Sequence, residues 1–310
     1  MSFAGAGKRF DEHWVVEHLD LCVPRGTIFG LIGPSGCGKT TTVRLANGVY
    51  RPDVGEVCML GRPACALGPR ERAAIGYLPQ QPALFAALSL RENLNFHASL
   101  NGVRFRRRRR LAEVLDLVEL GEHAGKLVRE SSGGMQRRLA LAATLVHRPD
   151  VLLLDEPTAG IDPILRRRFW EHFRALADAG HTLIITTQYV GEAADCDLVG
   201  LLAEGQLVAS GSPDELRRAA VGGELLEVET DRPVDAPTSA ELADAVGAGR
   251  FEYVGPLCMR FVVDDAGASL PVMLQQLERR GITTRHASEV VPAYDDIFIS
   301  LVGAAREAAA

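Results

Sequence analysis

Three short apolar runs stand out along the chain: residues 27–32 (TIFGLI), 151–154 (VLLL) and 182–187 (TLIITT). Each ends abruptly in polar residues. Unbroken stretches of this length, rich in β-branched residues, predict strands buried on both faces, as in the middle of a parallel sheet; a strand with one wet face would alternate. The first run leads into a glycine-rich turn and a helix opening near Gly38 or Lys39, the second into two acids, the third into Gln188. From about Gly222 the character changes. GELLEVET, a proline-containing turn, SAELADAVGAG, the hairpin pair RFEYVGP and LCMRFVVDD, then SLPVMLQQLERRG and ITTRHASEVV predict the order βαββαβ. That order points to a separate, ferredoxin-like split fold.

Composition narrows the picture. A length of 310 residues with 47% hydrophobic content supports one large α/β domain and a smaller one, each with a packed core. The net charge of −6 argues against a nucleic-acid binder that works through a cationic surface. No apolar run approaches the roughly 18 residues of a membrane-spanning helix. MSFAGAGKRF also lacks the apolar core of a signal peptide, so a cytosolic location is expected. The cysteines Cys22, Cys37, Cys58, Cys65, Cys196 and Cys258 are scattered, without a CxxC pair, and read as reduced thiols.

Of 34 basic residues only Lys8, Lys39 and Lys126 are lysines. Lys39 falls in the glycine-rich turn, where a compact ammonium suits a site that a planar guanidinium does not. Gly33, Pro34, Ser35, Gly36, Cys37, Gly38, Lys39 and Thr40 match G-x-x-x-x-G-K-[ST], between a predicted strand and a predicted helix. The glycines let successive N–H groups converge and the helix N-terminus adds partial positive charge, which makes a nest for phosphate. Lys39 would then bridge the β- and γ-phosphates of ATP, and the Thr40 hydroxyl would bind Mg²⁺. The acids after residues 151–154 supply the other half. Asp155 would hold Mg²⁺ through water, and Glu156 is placed to polarise the attacking water as general base.

Between these halves, VRESSGGMQRRLALAATLVHRPD carries Ser131, Ser132, Gly133, Gly134 and Met135 where the ABC ATPases have their LSGGQ signature. With the lysine loop before it and the acidic strand after it, the chain resembles that family over roughly residues 1–220. The resemblance implies a P-loop ABC ATPase core at 1–221, with a helical subdomain at about 82–148, followed by an accessory α+β domain at 222–310. It implies that residues 33–40 and Thr41 bind the nucleotide, and that Ser132, Gly133 and Gly134 cap the γ-phosphate held by a second subunit. Gln80 in IGYLPQQPALF resembles the Q-loop glutamine, which reaches Mg²⁺ and the attacking water. Phe10 stands where the family places an aromatic under adenine; an ordinary core residue is the alternative. Asp162 in AGID matches the D-loop that crosses the dimer interface. Ser131 and Met135 depart from the family's leucine and glutamine, and Ser131 is expected to loosen the loop.

Gln188 occupies the switch position, where most members have histidine. Its amide can donate to a phosphate oxygen but cannot become a cation or shuttle a proton, so slower or differently gated hydrolysis is expected. The pattern TTQY…EA is similar to the daunorubicin-resistance branch of drug exporters. The implied function is the ATP-hydrolysing subunit of an exporter: a homodimer on the cytoplasmic face, paired with a separately encoded integral membrane permease. Two alternatives stand beside it. A regulatory module with weak hydrolysis is opposed by Glu156, and a non-transport ABC ATPase acting on nucleic acid or ribosomes would usually bring paired ATPase domains, coiled coils or zinc-binding cysteines. The run Arg106, Arg107, Arg108, Arg109 and Arg110 opposes the macrodipole at the head of RRLAEVLDLVEL. It is either a solvated helix end or a contact for anionic lipid headgroups or an acidic loop of the permease.

Overall fold

The computed structural model describes residues 1–104 and 107–309, and the chain divides into two compact units, Met1–Ser212 and Pro213–Ala310. The first unit opens with β1 (Ser2–Phe10), β2 (His13–Cys22), β3 (Ile28–Ile32), α1 (Lys39–Ala46), β4 (Val54–Met59) and β5 (Arg62–Pro63). Next come α2 (Pro69–Ala73), β6 (Ile75–Leu78), α3 (Leu90–Leu100), α4 (Arg108–Leu117) and α5 (Gly133–Leu145). It closes with β7 (Val151–Asp155), α6 (Pro163–Asp178), β8 (Thr182–Thr187), β9 (Leu198–Ala203) and β10 (Gln206–Gly211).

The three apolar runs become β3, β7 and β8, and every residue of each is buried. They sit side by side in a six-stranded sheet of order β10-β9-β3-β8-β7-β6. Pairing of β8 with both neighbours is parallel, with Ile32 opposite Thr187 and Asp155 opposite Thr186. The C-terminal ends of β3, β8 and β7 are therefore level, and the chain leaves all three on one edge. A second sheet, β2-β1-β4-β5, packs against the first through one core in which Phe29, Leu31, Leu153 and Ile184 meet Phe3, Leu19, Val57 and Met59. Burial of this apolar surface is the main driving force for the unit.

Helices α3, α4 and α5 form the segment read as a helical subdomain. A reciprocal cap starts α3: Glu92 N donates to Ser89 Oγ at 3.3 Å and Ser89 N donates to Glu92 Oε2 at 2.8 Å. Three of the arginines at the head of α4 have partners within the chain. Arg107 donates to Asn95 Oδ1 at 2.9 Å, Arg109 to Glu113 Oε1 at 3.0 Å and Arg110 to Leu145 O at 2.6 Å. Arg106 lies outside the described residues.

In the second unit, α7 (Pro213–Val221) precedes β11 (Glu224–Thr230), α8 (Ala236–Ala245), β12 (Arg250–Gly255), β13 (Cys258–Val263), α9 (Ala266–Arg279), β14 (Thr284–Val290) and α10 (Tyr294–Ala309). The expected βαββαβ order is present, in an antiparallel sheet ordered β12-β13-β11-β14. Leu226, Val228 and Phe261 of the sheet pack on Leu242, Met273 and Leu277 of α8 and α9. The unit begins at Pro213, ahead of the compositional change at Gly222, because α7 packs on α10: Arg217 donates to the Tyr294 hydroxyl at 2.9 Å. Among the described residues no helix is long and apolar enough to cross a membrane.

Candidate functional site

The glycine-rich turn leaves β3 at Gly33 and enters α1 through Gly38, whose φ of 110° only glycine adopts readily. Close approach also demands glycine here. A Cβ on Gly38 would lie 2.5 Å from Val15 O, and one on Gly33 would lie 2.1 Å from Leu202 O. Gly36, with φ of 81°, faces open space. Lys39 is buried, and its ammonium curls into the turn to donate to Gly33 O at 2.7 Å and Pro34 O at 2.9 Å. Thr40 and Thr41 follow on the first turn of α1, both partly exposed. Burial pushes the Cys37 thiol above its ordinary range, against the opposing pull of the Lys39 charge.

The acidic end of β7 is built differently. Asp155 is fully buried; the Thr186 hydroxyl donates to its Oδ1 at 2.6 Å, while Oδ2 is buried without a partner. An orphaned carboxylate oxygen is costly in the interior, and it fits a site meant for a further donor or a hydrated cation. Glu156, half-buried, takes a left-handed φ of 52°, and its N–H donates to Thr186 Oγ1 at 3.0 Å. Side chains other than glycine pay for that conformation, so the turn after β7 is strained where the second acid sits. Among the described residues no group of three or more His, Cys, Asp or Glu is placed to hold a metal by itself.

Gln188 leaves β8 between these two ends, exposed, and its Oε1 accepts from the Ser35 hydroxyl at 3.0 Å. The amide therefore faces the glycine-rich turn. Gln80, just past β6, is exposed; its backbone carbonyl is fixed by Arg137, a residue the sequence reading passed over. Arg137 on α5 is buried and donates to Pro79 O at 2.7 Å, Gln80 O at 2.8 Å and Glu156 O at 2.7 Å, and also to Asp155 O. Burial lowers its pKa, opposed by the carboxylates of Asp155 and Glu156. One guanidinium thus ties the end of β6 to the end of β7.

Ser132 is the N-cap of α5, accepting from Met135 N at 3.3 Å, with Gly133 and Gly134 opening the helix. Ser132 and Gly133 are exposed. Ser131 does not loosen the loop. It is buried, its hydroxyl donates to Leu127 O at 2.9 Å, and its carbonyl accepts from Gln136 Nε2 at 3.1 Å, so hydrogen bonds hold what leucine would hold by packing. Asp162 caps α6, accepting from Ile164 N at 3.1 Å and Leu165 N at 3.0 Å. Phe10 is not a core residue: it is 40% exposed at the end of β1, edge-on to Tyr50 with ring centroids 5.3 Å apart.

The structure thus brings Ser35, Lys39, Asp155, Glu156 and Gln188 to adjoining strand ends of one sheet edge. Gln80 joins them through Arg137. Phe10, Ser132 and Asp162 are presented from other elements and have no hydrogen bond to this group.

The family model described as ABC transporter matches residues 16–159. The daunorubicin resistance ATP-binding protein DrrA3 of Streptomyces coeruleorubidus is 35% identical over 301 residues, covering 96% of this chain and 94% of that protein. The probable multidrug ABC transporter ATP-binding protein YbhF of Escherichia coli (strain K12) is 38% identical over 221 residues, 70% of this chain, and the chain spans only 38% of YbhF's length. Among solved structures, the one described as "Dimeric Structure of MJ0796, a Bacterial ABC Transporter Cassette" aligns with a TM-score of 0.64 at 25% identity, over 68% of this chain and 97% of that one. The phosphate-type turn, the level strand ends and a relative matched almost end to end agree: the chain belongs to the ATP-binding proteins of ABC transporters and is an ATPase of that family.

Proposed function

We propose that the chain is the ATP-hydrolysing subunit of an exporter, acting as a homodimer on the cytoplasmic face of the membrane and energising a separately encoded integral membrane permease. The cargo is drug-like or lipid-like, and the names carried by DrrA3 and YbhF favour the drug-like class. The observation that carries the reading is the level register of β3, β8 and β7, which sets Lys39, Gln188 and Glu156 around one edge.

In this reading the turn of residues 33–41, through the N–H groups that follow Pro34, and the Lys39 ammonium receive the phosphates of ATP. Phe10 takes the adenine by stacking. Glu156 accepts the proton of the attacking water, and Gln188 donates to the terminal phosphate. Thr40, Gln80 and Asp155 would hold Mg²⁺, and the unpartnered Oδ2 of Asp155 supports this assignment. Magnesium, when bound, offsets the negative charge of the phosphates. Ser132, Gly133 and Gly134 of one copy complete the site of the other across an interface that includes Asp162; the dimeric cassette with the same fold supports that arrangement.

A cleft of about 470 Å³, lined by Tyr77, Pro79, Ala83, Leu84 and His97 among others, supports the permease partner, since it adjoins the Gln80 segment. The strand order β14-β11-β13-β12 supports a ferredoxin-like accessory domain at 222–310, after a functional ATPase domain of about 1–221. A lipid contact through residues 106–110 has no support: Arg107, Arg109 and Arg110 are engaged within the chain.

The test is magnesium-dependent ATP hydrolysis across a protein concentration series, beside Glu156→Gln. Turnover per chain should rise with concentration and fall by roughly a hundredfold in Glu156→Gln. Turnover that is independent of concentration and of Glu156 would overturn the proposal. Copurification with a multi-spanning membrane protein tests the exporter assignment.

A further inference from the structure

Behind Gln188 lies a second group of buried polar side chains that the mechanism does not use. Glu192, in the turn after β8, is 5% exposed, and the buried Thr158 hydroxyl donates to its Oε1 at 2.7 Å. Thr158 itself is 1% exposed and follows Glu156 closely, in a turn closed by Ala159 N donating to Glu156 O at 3.2 Å. Arg166 on α6 brings its Nε to 3.9 Å from the same Glu192 oxygen. Its guanidinium lies over the ring of Tyr189, 4.6 Å from the centroid, and Tyr189 is the neighbour of Gln188. Glu192 N donates to Tyr189 O at 3.1 Å, and Tyr189 N donates to Thr187 Oγ1 at 3.0 Å. Glu192 Oε2 and Arg166 Nε are buried without hydrogen-bond partners.

Burying a carboxylate with incomplete partners, beside an arginine whose side chain stays 29% exposed, is destabilising, and a packed apolar pair would hold the fold at lower cost. What this group does that apolar residues would not is join three segments directionally. The turn after Glu156, the helix capped by Asp162 and the turn after Gln188 all converge on one carboxylate. We infer that Glu192 is a positioning residue, which through Thr158, and through Arg166 with Tyr189, holds Gln188 in register with Glu156. The inference rests on the roles given to Gln188 and Glu156 under Proposed function.

The experiment uses the full chain, measuring kcat and KM for magnesium-ATP together with nucleotide affinity from a fluorescent ATP analogue. Thr158→Val removes the hydroxyl at nearly constant volume, Thr158→Ser keeps it, and Tyr189→Leu removes the ring under Arg166 from a position that is 41% exposed. Thr158→Val should lower kcat by roughly tenfold, while affinity stays within about twofold and Thr158→Ser restores most of the rate. Tyr189→Leu should lower kcat in the same direction by roughly threefold. Combined with Gln188→Ala, Thr158→Val should add no further loss, because it acts through that residue. Wild-type kcat in Thr158→Val beside a slowed Gln188→Ala, or losses that multiply in the double variant, would overturn the inference alone. An unchanged kcat in Gln188→Ala would overturn the phosphate-facing reading, and the inference with it.

Discussion

The Ser35 hydroxyl donates to Gln188 Oε1 across 3.0 Å, joining the turn after β3 to the residue that leaves β8. Because the oxygen end of the amide is engaged, its two N–H groups remain to donate. On the role proposed for Gln188, replacement by glutamate keeps an acceptor for Ser35 but removes the donors. Gln188→Glu should lower turnover at least roughly tenfold, whereas Gln188→His, which can again donate, should retain or raise it. Steady-state hydrolysis by the two variants at saturating ATP checks this.

Glycine is required at position 38 for two separate reasons, its φ of 110° and the approach of Val15 O. Position 36 shares only the first, since a Cβ there meets nothing within 4 Å. Gly36→Ala should cost about 1–2 kcal/mol, the ordinary penalty of a left-handed side chain. Gly38→Ala should cost more and weaken ATP binding beyond roughly tenfold, since backbone must move in the turn itself. Urea unfolding and nucleotide titration of both variants separate the two reasons.

Arg137 donates to four backbone carbonyls at once, and methionine in its place would remove all four bonds, the buried one to Asp155 O among them; of the four, Glu156 O keeps its bond from Ala159 N. Arg137→Met should destabilise the first unit by about 3 kcal/mol or more, and Arg137→Lys by less but still measurably, because one ammonium cannot span four acceptors in a plane. Denaturant unfolding gives the loss. Turnover of the lysine variant should fall as well, since the backbone of Gln80 and Glu156 would no longer be fixed.

His97, His147 and His172 are held below their ordinary range, chiefly by burial; the positive charge of Arg110 adds to this for His147 and His172. A depressed folded-state pKa means that above the unfolded value of about 6.5 these groups are neutral in both states and cost nothing. As pH falls below that value, the unfolded chain takes up protons first, and stability is lost progressively toward the folded pKa values. The melting temperature of the first unit should therefore drop between pH 7 and pH 5.5. His147→Gln should flatten part of that slope, since its Nδ1 is buried without a partner. Differential scanning calorimetry across this range reads both effects.

Much of the candidate site was legible because buried parallel strands have an unmistakable pattern, and because the residues after them are polar where the pattern stops. The strands at residues 151–154 and 182–187 were found this way, with Asp155 added to β7 only by its pairing with Thr186. What escaped depends on tertiary geometry. Arg137 sits in MQRRLALAA beside Arg138, and only the phase of α5 in the folded unit decides which of the two faces inward. Glu192 likewise reads as a surface acid in YVGEAAD until Thr158 and Arg166 close on it. The start of the second unit at Pro213 escaped for the same reason, as nothing near residue 213 announces that α7 pairs with a helix at the far end of the chain.

Arg137 has one further consequence. Ser132 and Arg137 are separated by little more than one turn of α5, a rise of roughly 7.5 Å at 1.5 Å per residue. A helix does not shorten or stretch over such a span, so the exposed head of α5 stands at a set distance from the carbonyls of Gln80 and Glu156 that its buried arginine holds.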